Sequence, residues 1–210
     1  MLLQRPDILK PHMRALLRAS QLGHMRLLFP MIATLRELRE LKEILKTTAV
    51  ELEADLGQKI RIPPVGIMVE IPSTVLQIEG FLFESDFVCL GTNDLIQYLF
   101  AIDRGNERVA AYHQPYHPAL LQAIKHVADA ANRVGKPVTV CGEMASDPKA
   151  LALLLGLGLS SFSIAPGTTD DVRDALSRLD KRSCQVLASR ALMLSTAEEV
   201  QAEVEAFWPV

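Results

Sequence analysis

Residues 65–94, VGIMVEIPSTVLQIEGFLFESDFVCLGTND, contain two short apolar runs with an amphipathic segment between them. The runs Val65–Glu70 and Phe87–Leu90 show no alternation of apolar and polar residues, which predicts strands that are buried on both faces. Ser73–Phe83, which follows Pro72, is predicted to be a helix. A buried strand, a helix and a second buried strand indicate a β/α unit of a parallel sheet.

The same alternation continues on both sides of this stretch. Three further strands are predicted, at Arg26–Met31, Val138–Cys141 and Ser161–Ile164. Predicted helices cover residues 33–55, 93–100, 117–133 and 147–156, and two or three more follow residue 168. The predicted strands are too few to close an eight-stranded barrel. The chain is therefore either a smaller open sheet or the downstream part of a barrel whose beginning is absent.

Composition and charge exclude several classes of protein. The 210 residues are 49% apolar and 22% charged, which is typical of a packed globular protein. The longest nearly unbroken apolar stretch, Ala150–Leu159, contains two glycines and is shorter than the roughly 20 residues that cross a bilayer. Residues 1–7 lack the pattern of a secretory signal. The net charge of −3 offers no basic footprint, so we expect neither nucleic acid nor a membrane surface as a partner.

Cysteine is sparse in this sequence. Cys89, Cys141 and Cys184 are odd in number and widely spaced. Disulfide frameworks and structural zinc sites use closely spaced pairs, so neither is expected. This usage predicts the reducing cytoplasm as the compartment. Cys89 and Cys184 are predicted to be small buried apolar residues.

Carboxylates follow two neighbouring strands of the predicted sheet. Glu70 ends the second strand and Asp94 comes shortly after the third. Because the carboxyl ends of parallel strands meet at one edge, these two groups could converge on one cation. Two carboxylates with water and a substrate phosphate suit Mg²⁺. The alternative is that Glu70 pairs with an arginine and Asp94 caps its helix.

Two further segments carry groups that suit an anionic substrate. Gly91-Thr92-Asn93-Asp94 lies where a strand ends and a helix begins, so free N–H groups and the helix dipole would favour a phosphate there. Ordinary N-capping is the alternative for this segment. Arg104, in Asp103-Arg104-Gly105-Asn106, could bind a phosphate or carboxylate, or could pair with Asp103.

Cys141 ends the fourth predicted strand, beside Gly142 and Glu143. A nucleophilic thiol needs a histidine or a helix terminus to activate it, and the local sequence offers neither. Nearby carboxylates favour the protonated thiol. Cys141 is therefore predicted to donate a proton at neutral pH.

Four motifs, in this order and spacing, resemble those of the phosphoenolpyruvate (PEP)-utilising enzymes. They are Gly66-Ile67-Met68-Val69-Glu70-Ile71-Pro72, Gly91-Thr92-Asn93-Asp94-Leu95-Ile96-Gln97-Tyr98, Asp103-Arg104-Gly105-Asn106 and Cys141-Gly142-Glu143-Met144-Ala145. The resemblance implies the C-terminal portion, about five β/α units, of a (β/α)8 TIM barrel that is incomplete in this chain. Tyr98 and the third motif are more similar to the phosphoenolpyruvate–protein phosphotransferases (Enzyme I of the bacterial sugar phosphotransferase system) than to pyruvate phosphate dikinase or PEP synthase.

The resemblance also implies a role for each matching position. Glu70 and Asp94 match Mg²⁺ ligands, and Asn93 and Asp94 match the pair that contacts the substrate phosphate. Arg104 matches an arginine that binds PEP. Cys141 matches the cysteine that exchanges a proton with the substrate methylene carbon. In such enzymes phosphate passes from PEP to a histidine and on to a histidine phosphocarrier protein, leaving pyruvate.

Parts of the family pattern have no match in this chain. The family's phospho-accepting histidine lies in a separate N-terminal domain, and its first three barrel strands carry two more substrate-binding arginines. The chain by itself is therefore expected to be inactive, whether it is a fragment or a genuine short protein. Residues 1–210 are expected to form one unit, with a helical segment over 1–25, β/α units over 26–167 and C-terminal helices over 168–210. Open sheet edges predict a homodimer.

Two alternatives stay open at this stage. The first is the barrel end of a pyruvate phosphate dikinase or PEP synthase, which predicts nucleotide-dependent phosphorylation of pyruvate by the full-length parent. The second is a non-catalytic dimerisation or regulatory fragment, in which Asp94→Ala would change stability alone.

Overall fold

A computed structural model describes the chain over residues 2–103, 105–106, 109 and 112–208. Its centre is a parallel sheet whose strands neighbour one another in chain order, with one or more helices after each strand. The strands are β1 (Leu27–Phe29), β2 (Val65–Val69), β3 (Phe87–Gly91) and β4 (Val138–Cys141). Within the described residues this sheet does not close on itself, which confirms the predicted α/β class with an incomplete barrel.

The helices pack against the sheet or follow its last strand. They are α1 (Pro6–Ser20), α2 (Leu35–Leu56), α3 (Pro72–Leu76), α4 (Ile78–Glu84), α5 (Thr92–Leu99), α6 (Pro118–Arg133), α7 (Pro148–Gly156), α8 (Thr169–Arg178), α9 (Lys181–Ala191) and α10 (Ala197–Phe207). The longest, α2, begins at a capping box in which Thr34 and Glu37 satisfy each other's backbone N–H groups. It ends at Gly57, whose positive φ of 65° is a left-handed conformation that glycine adopts without steric cost.

The predicted fifth strand, Ser161–Ile164, is reduced to a single bridge between Val140 and Phe162. Two backbone hydrogen bonds, 2.9 and 2.8 Å long, join Val140 to this segment. The chain then turns away into the 3-10 helix Pro166–Thr168, whose proline has no N–H to donate. The expectation of a full fifth strand is therefore corrected, because the chain leaves the sheet after one pairing.

The segment Ser73–Phe83, predicted as one helix, forms the two helices α3 and α4. The chain departs from helical dihedral angles at Gln77, where φ is −112° and ψ is 25°. In α3, the Thr74 hydroxyl donates to a backbone carbonyl in the β1–α2 loop at 2.5 Å. In α4, Gly80 lies so close to α2 that a β-carbon there would be 2.9 Å from Cδ1 of Leu35. The two halves break apart because each is held by a different neighbour.

The two faces of the sheet differ in burial. Val69, Leu90 and Val140, which are in register, are fully buried on the face that the helices cover. Met68 and Cys89 project to the opposite face and are only half-buried. The main core on the helix side includes buried residues of α1, α2, α9 and α10, whereas Val172 and Ala175 of α8 form a separate small cluster with Leu151 of α7. No helix in the described ranges has both the length and the apolar character needed to cross a bilayer.

Candidate functional site

Glu70, Gly91 and Cys141 lie side by side where β2, β3 and β4 end. In the strand register, Val69 is paired with Leu90, and Gly91 is paired with Cys141. Glu70, the residue after Val69, therefore lies beside Gly91, the residue after Leu90. Side chains alternate along a strand, and Glu70 and Cys141 therefore project to the same half-open face of the sheet. This edge brings together residues that are up to 71 positions apart in the chain.

The carboxyl group of Glu70 is held in a buried position, only 4% exposed. Its Oε1 accepts a hydrogen bond of 2.6 Å from the backbone N–H of Met31, and its carboxyl group also hydrogen-bonds to that of Asp94. Burial raises the pKa of Glu70, the Met31 N–H opposes this, and the neighbouring Asp94 carboxylate raises the pKa further. A hydrogen bond between two carboxyl groups requires one of them to hold a proton.

The carboxyl groups of Glu70 and Asp94 suit a divalent cation that takes few of its ligands from the protein. Mg²⁺ is commonly held by one or two carboxylates and completes its shell with water and substrate phosphate. Among the described residues, no group of three or more His, Cys, Asp and Glu side chains converges on one point. No lysine or arginine of the described ranges pairs with Glu70, so the ion-pair alternative is not seen there.

The helix α5 begins directly after Gly91 without a side-chain cap. The Thr92 hydroxyl instead donates to the carbonyl of Cys141 at 2.9 Å. Asn93 Oδ1 accepts from the backbone N–H of Glu143 at 3.0 Å. The first N–H groups of a helix have no partner within the helix, so this end favours an anion. The capping alternative for Thr92 and Asn93 is therefore wrong, because neither side chain caps α5: Thr92 bonds to the last residue of β4 and Asn93 to the turn after it.

The thiol of Cys141 lies among weak hydrogen-bond partners. Its Sγ is 3.0 Å from the carbonyl of Leu90 and 3.3 Å from Sδ of Met68. Burial is the main cause that raises the pKa of Cys141 to about 11, and the nearby Glu70–Asp94 carboxyl pair acts in the same direction. The thiol is consequently protonated at neutral pH, which is the state that a proton donor requires.

A cavity of about 500 Å³ borders this edge of the sheet. It lies between the turn that follows β4 and the segment that follows the Phe162 bridge. Of the candidate residues that the structure describes, Asn93 lines this cavity, whereas Glu70, Asp94 and Cys141 do not. The lining residues are Asn93, Gly142, Glu143, Ser146, Asp147, Ser163, Ala165 and Thr168.

The structure leaves one candidate unplaced and adds others. Arg104 lies outside the described residues, whereas Asp103 next to it accepts a hydrogen bond from Gly105 N at 2.8 Å. Met68 was not assigned a role from the sequence, and Thr92 was considered only as a helix cap. Met68 could have been found, because it lies two residues before Glu70 and therefore shares its face. The Thr92 contact had no signal, since it depends on how close α5 comes to β4.

The other two cysteines differ from each other. Cys184 is fully buried in α9, as expected for a small apolar residue. Cys89 is half-buried on the open face of the sheet, in register with Met68 and Thr139. Burial raises its pKa, and the charge of Arg26 lowers it. Cys89 is thus less enclosed than its place in the middle of an apolar strand suggested.

Comparison with known proteins gives a family for this sequence. The profile of the family described as "PEP-utilising enzyme, PEP-binding domain" matches residues 1–181. Phosphoenolpyruvate-protein phosphotransferase of Geobacillus stearothermophilus is 48% identical over 201 residues, which are 94% of this chain and 34% of that protein. Its counterpart in Bacillus subtilis is 45% identical over 204 residues, 97% of this chain and 36% of that protein. The chain thus spans about a third of the length of the curated relatives it matches.

A solved structure supports the fold alone. A citrate lyase from Burkholderia xenovorans superposes with a TM-score of 0.60 and 16% sequence identity, covering 94% of this chain and 67% of that protein. At this identity the likeness carries no information on substrate. It does show that this arrangement of parallel strands and helices occurs within a longer α/β chain.

Proposed function

Because the chain belongs to the PEP-utilising enzymes, as a PEP-binding domain, we propose that it is the substrate-binding part of a phosphoenolpyruvate–protein phosphotransferase. The observation that carries this proposal is the contact between Glu70 and Asp94 on the strand edge where the Cys141 thiol also lies. A paired carboxylate site beside a protonated thiol suits a substrate that loses a phosphoryl group and gains a proton.

Glu70 and Asp94 are the residues that would hold Mg²⁺ in this proposal. Bound Mg²⁺ supplies positive charge that neutralises the phosphoryl oxygens of PEP. Asn93 and the first N–H groups of α5 bind the same phosphoryl group, because the positive end of the helix dipole points at it. Arg104 is kept as a further PEP ligand on the family resemblance alone.

The phosphoryl group then leaves for a histidine outside this chain. The P–O bond of PEP breaks as a P–N bond to the histidine forms, and the electron pair of the broken bond stays on the enolate. The enolate takes a proton from Sγ of Cys141 at its methylene carbon and becomes pyruvate, and the thiolate recovers its proton from water. The raised pKa of Cys141 supports this role, because the proton stays on the thiol until a strongly basic carbon is present.

The setting of this reaction follows from the same family. We propose that the parent protein hands its phosphate to a histidine phosphocarrier protein in sugar uptake, that it works in the cytoplasm, and that it is a homodimer. Three unpaired cysteines are consistent with a reducing compartment. The relatives named above support a phosphotransferase over the dikinase alternative. No observation favours a non-catalytic fragment.

The decisive experiment is calorimetric titration of the chain with Mg²⁺ and then with PEP. Asp94→Asn should weaken Mg²⁺ binding by about tenfold or more, since it removes one of two carboxylate ligands. Asp129→Asn is the matched control, because Asp129 is half exposed in an ion pair with Lys125 on the surface of α6. PEP should bind only when Mg²⁺ is present.

Two results would contradict the proposal. One is the absence of heat from the unaltered chain at millimolar Mg²⁺ and PEP. The other is equal Mg²⁺ affinity in the Asp94→Asn and Asp129→Asn variants, which would place any bound cation elsewhere.

A further inference from the structure

A second cavity, of about 960 Å³, lies at the opposite end of the sheet from the candidate site. It is bounded by residues that come just before β1, β2 and β3, together with Lys42 of α2. Its volume is within the range of about 300–1,000 Å³ that small-molecule sites occupy. The proposed function uses none of its lining residues.

The walls of this cavity carry an excess of positive charge. Arg26, Lys42, Arg61 and the imidazole of His24 line it, and Asp86 is the one carboxylate among the described residues of its wall. Asp86 is already engaged, because its Oδ2 accepts a hydrogen bond of 2.7 Å from the backbone N–H of Val65. A cavity with three permanent cations and one occupied carboxylate attracts anions.

Three of these groups have no anionic partner among the residues that the structure describes. The side chains of His24 and Arg61 make no hydrogen bond or ion pair there. Arg26 lies over the ring of Phe87 at 5.3 Å, which leaves its N–H groups unused. Lys42 donates to the backbone carbonyl of Glu84 at 2.6 Å, and its charge also interacts with the Glu84 carboxylate. The surface elsewhere pairs many of its cations, as between Arg39 and the carboxylate of Glu84.

The backbone around these cations is held in place. Gln21 hydrogen-bonds both the carbonyl of Arg61, at 2.9 Å, and its N–H, at 3.2 Å. Pro63 and Pro64 follow and restrict the chain where it enters β2. The backbone of Arg61 is therefore held in place, while its guanidinium group makes no hydrogen bond within the described residues. A fixed backbone lowers the entropic cost of binding a ligand.

We propose that this cavity binds a compact polyanion, a ligand with two or more phosphate or carboxylate groups. Guanidinium groups match both oxyanions with paired hydrogen bonds, and the concave wall favours a small ligand over a flat protein surface. The proposal is independent of the proposed function, since the two sites lie at opposite ends of the strands and share no residue.

Calorimetric titration with pyrophosphate and, separately, with citrate in magnesium-free buffer at low ionic strength tests this inference and distinguishes a phosphate from a carboxylate ligand. Arg61→Gln should weaken binding of the preferred probe about tenfold, because one charge-assisted contact is lost. Arg36→Gln is the matched control: Arg36 is exposed, makes no ion pair among the described residues and does not line the cavity. Glu70→Gln should leave the affinity unchanged.

Each other outcome overturns the proposal in a distinct way. Absence of binding of both probes at millimolar concentration would remove the site. Equal losses of affinity in Arg61→Gln and Arg36→Gln would mean that the anion is attracted by the net charge of the protein and not by this cavity. A change of affinity in Glu70→Gln would put the probe at the carboxyl ends of the strands. If a third titration, with an acidic peptide, showed binding while neither small anion bound, the surface would be a protein-binding one.

Discussion

The carboxylate of Glu70 lies directly over the backbone of Gly91, so closely that a β-carbon on Gly91 would be 2.9 Å from Oε2 and 3.0 Å from Cβ of Glu70. The same β-carbon would be 3.0 Å from Cγ of Met68. Because Gly91 has no β-carbon, the side chain of Glu70 can lie across the end of β3. The Glu70 carboxyl group that lies there also hydrogen-bonds to the side chain of Asp94.

Gly91→Ala is predicted to damage this edge of the sheet. The added methyl group must displace Glu70 or Met68, and overpacking of this kind costs about 1–3 kcal/mol of unfolding free energy. We expect Mg²⁺ affinity, measured by calorimetry, to fall with it. Gly23→Ala is the control, because nothing lies within 4 Å of a β-carbon there. Unchanged stability and Mg²⁺ affinity in Gly91→Ala would contradict this prediction, because they would show that Glu70 and Met68 can move aside at no cost.

Thr92→Val is predicted to lower the free energy of unfolding by about 1–3 kcal/mol, because the part-buried Cys141 carbonyl loses its hydrogen-bond donor, the hydroxyl of the fully buried Thr92 side chain. Urea denaturation measures the change. Thr47→Val is the comparison variant, since its hydroxyl bonds to a carbonyl on the exposed side of α2. Equal urea midpoints for the two variants would mean that the Thr92 hydroxyl does not hold the loop after β4.

The reactivity of Cys141 is predicted to depend strongly on pH. With its pKa raised from 9.0 to about 11, little thiolate is present at pH 8, and alkylation by iodoacetamide should be on the order of a hundredfold slower than for a free thiol. The folded state holds this proton more tightly than the unfolded state, so the thiol's contribution to stability should be lost as pH rises from about 9 to about 11. Peptide mapping by mass spectrometry separates Cys141 from Cys89 and Cys184. Labelling of Cys141 at the free-thiol rate at pH 8 would contradict the pKa shift.

Self-association is predicted because β1, the first strand of the sheet, pairs only with β2 among the described residues. The backbone N–H and C=O groups on its other side are therefore open to a second chain. Light scattering at concentrations of tens of micromolar, a rough choice for a modest interface, should show a dimer. Leu28→Lys in β1 should shift it towards monomer, whereas Val50→Lys, at a position 64% exposed on α2, should not. A monomer from the unaltered chain would rule out this mode of association.

Much of the architecture could be predicted from local patterns. Unbroken apolar runs predict buried strands such as Val65–Val69 and Val138–Cys141. Proline and glycine indicate where helices begin and end. The positions of Glu70 and Cys141 at one edge followed as well, because parallel strands necessarily bring their carboxyl ends together. The fifth strand and the helix over Ser73–Phe83 were predicted less well, since pairing and neighbouring helices overrode an apolar pattern.

The sequence by itself determined which residue types stand at the ends of the strands, because burial and periodicity act within a few residues of one another. Only the tertiary structure decided that Glu70 meets Asp94, that Thr92 bonds to Cys141, and that unpaired cations surround a cavity at the far end of the sheet. The physical reason is distance along the chain. A hydrogen bond between residues 49 positions apart depends on strand register and helix placement, which no local pattern specifies.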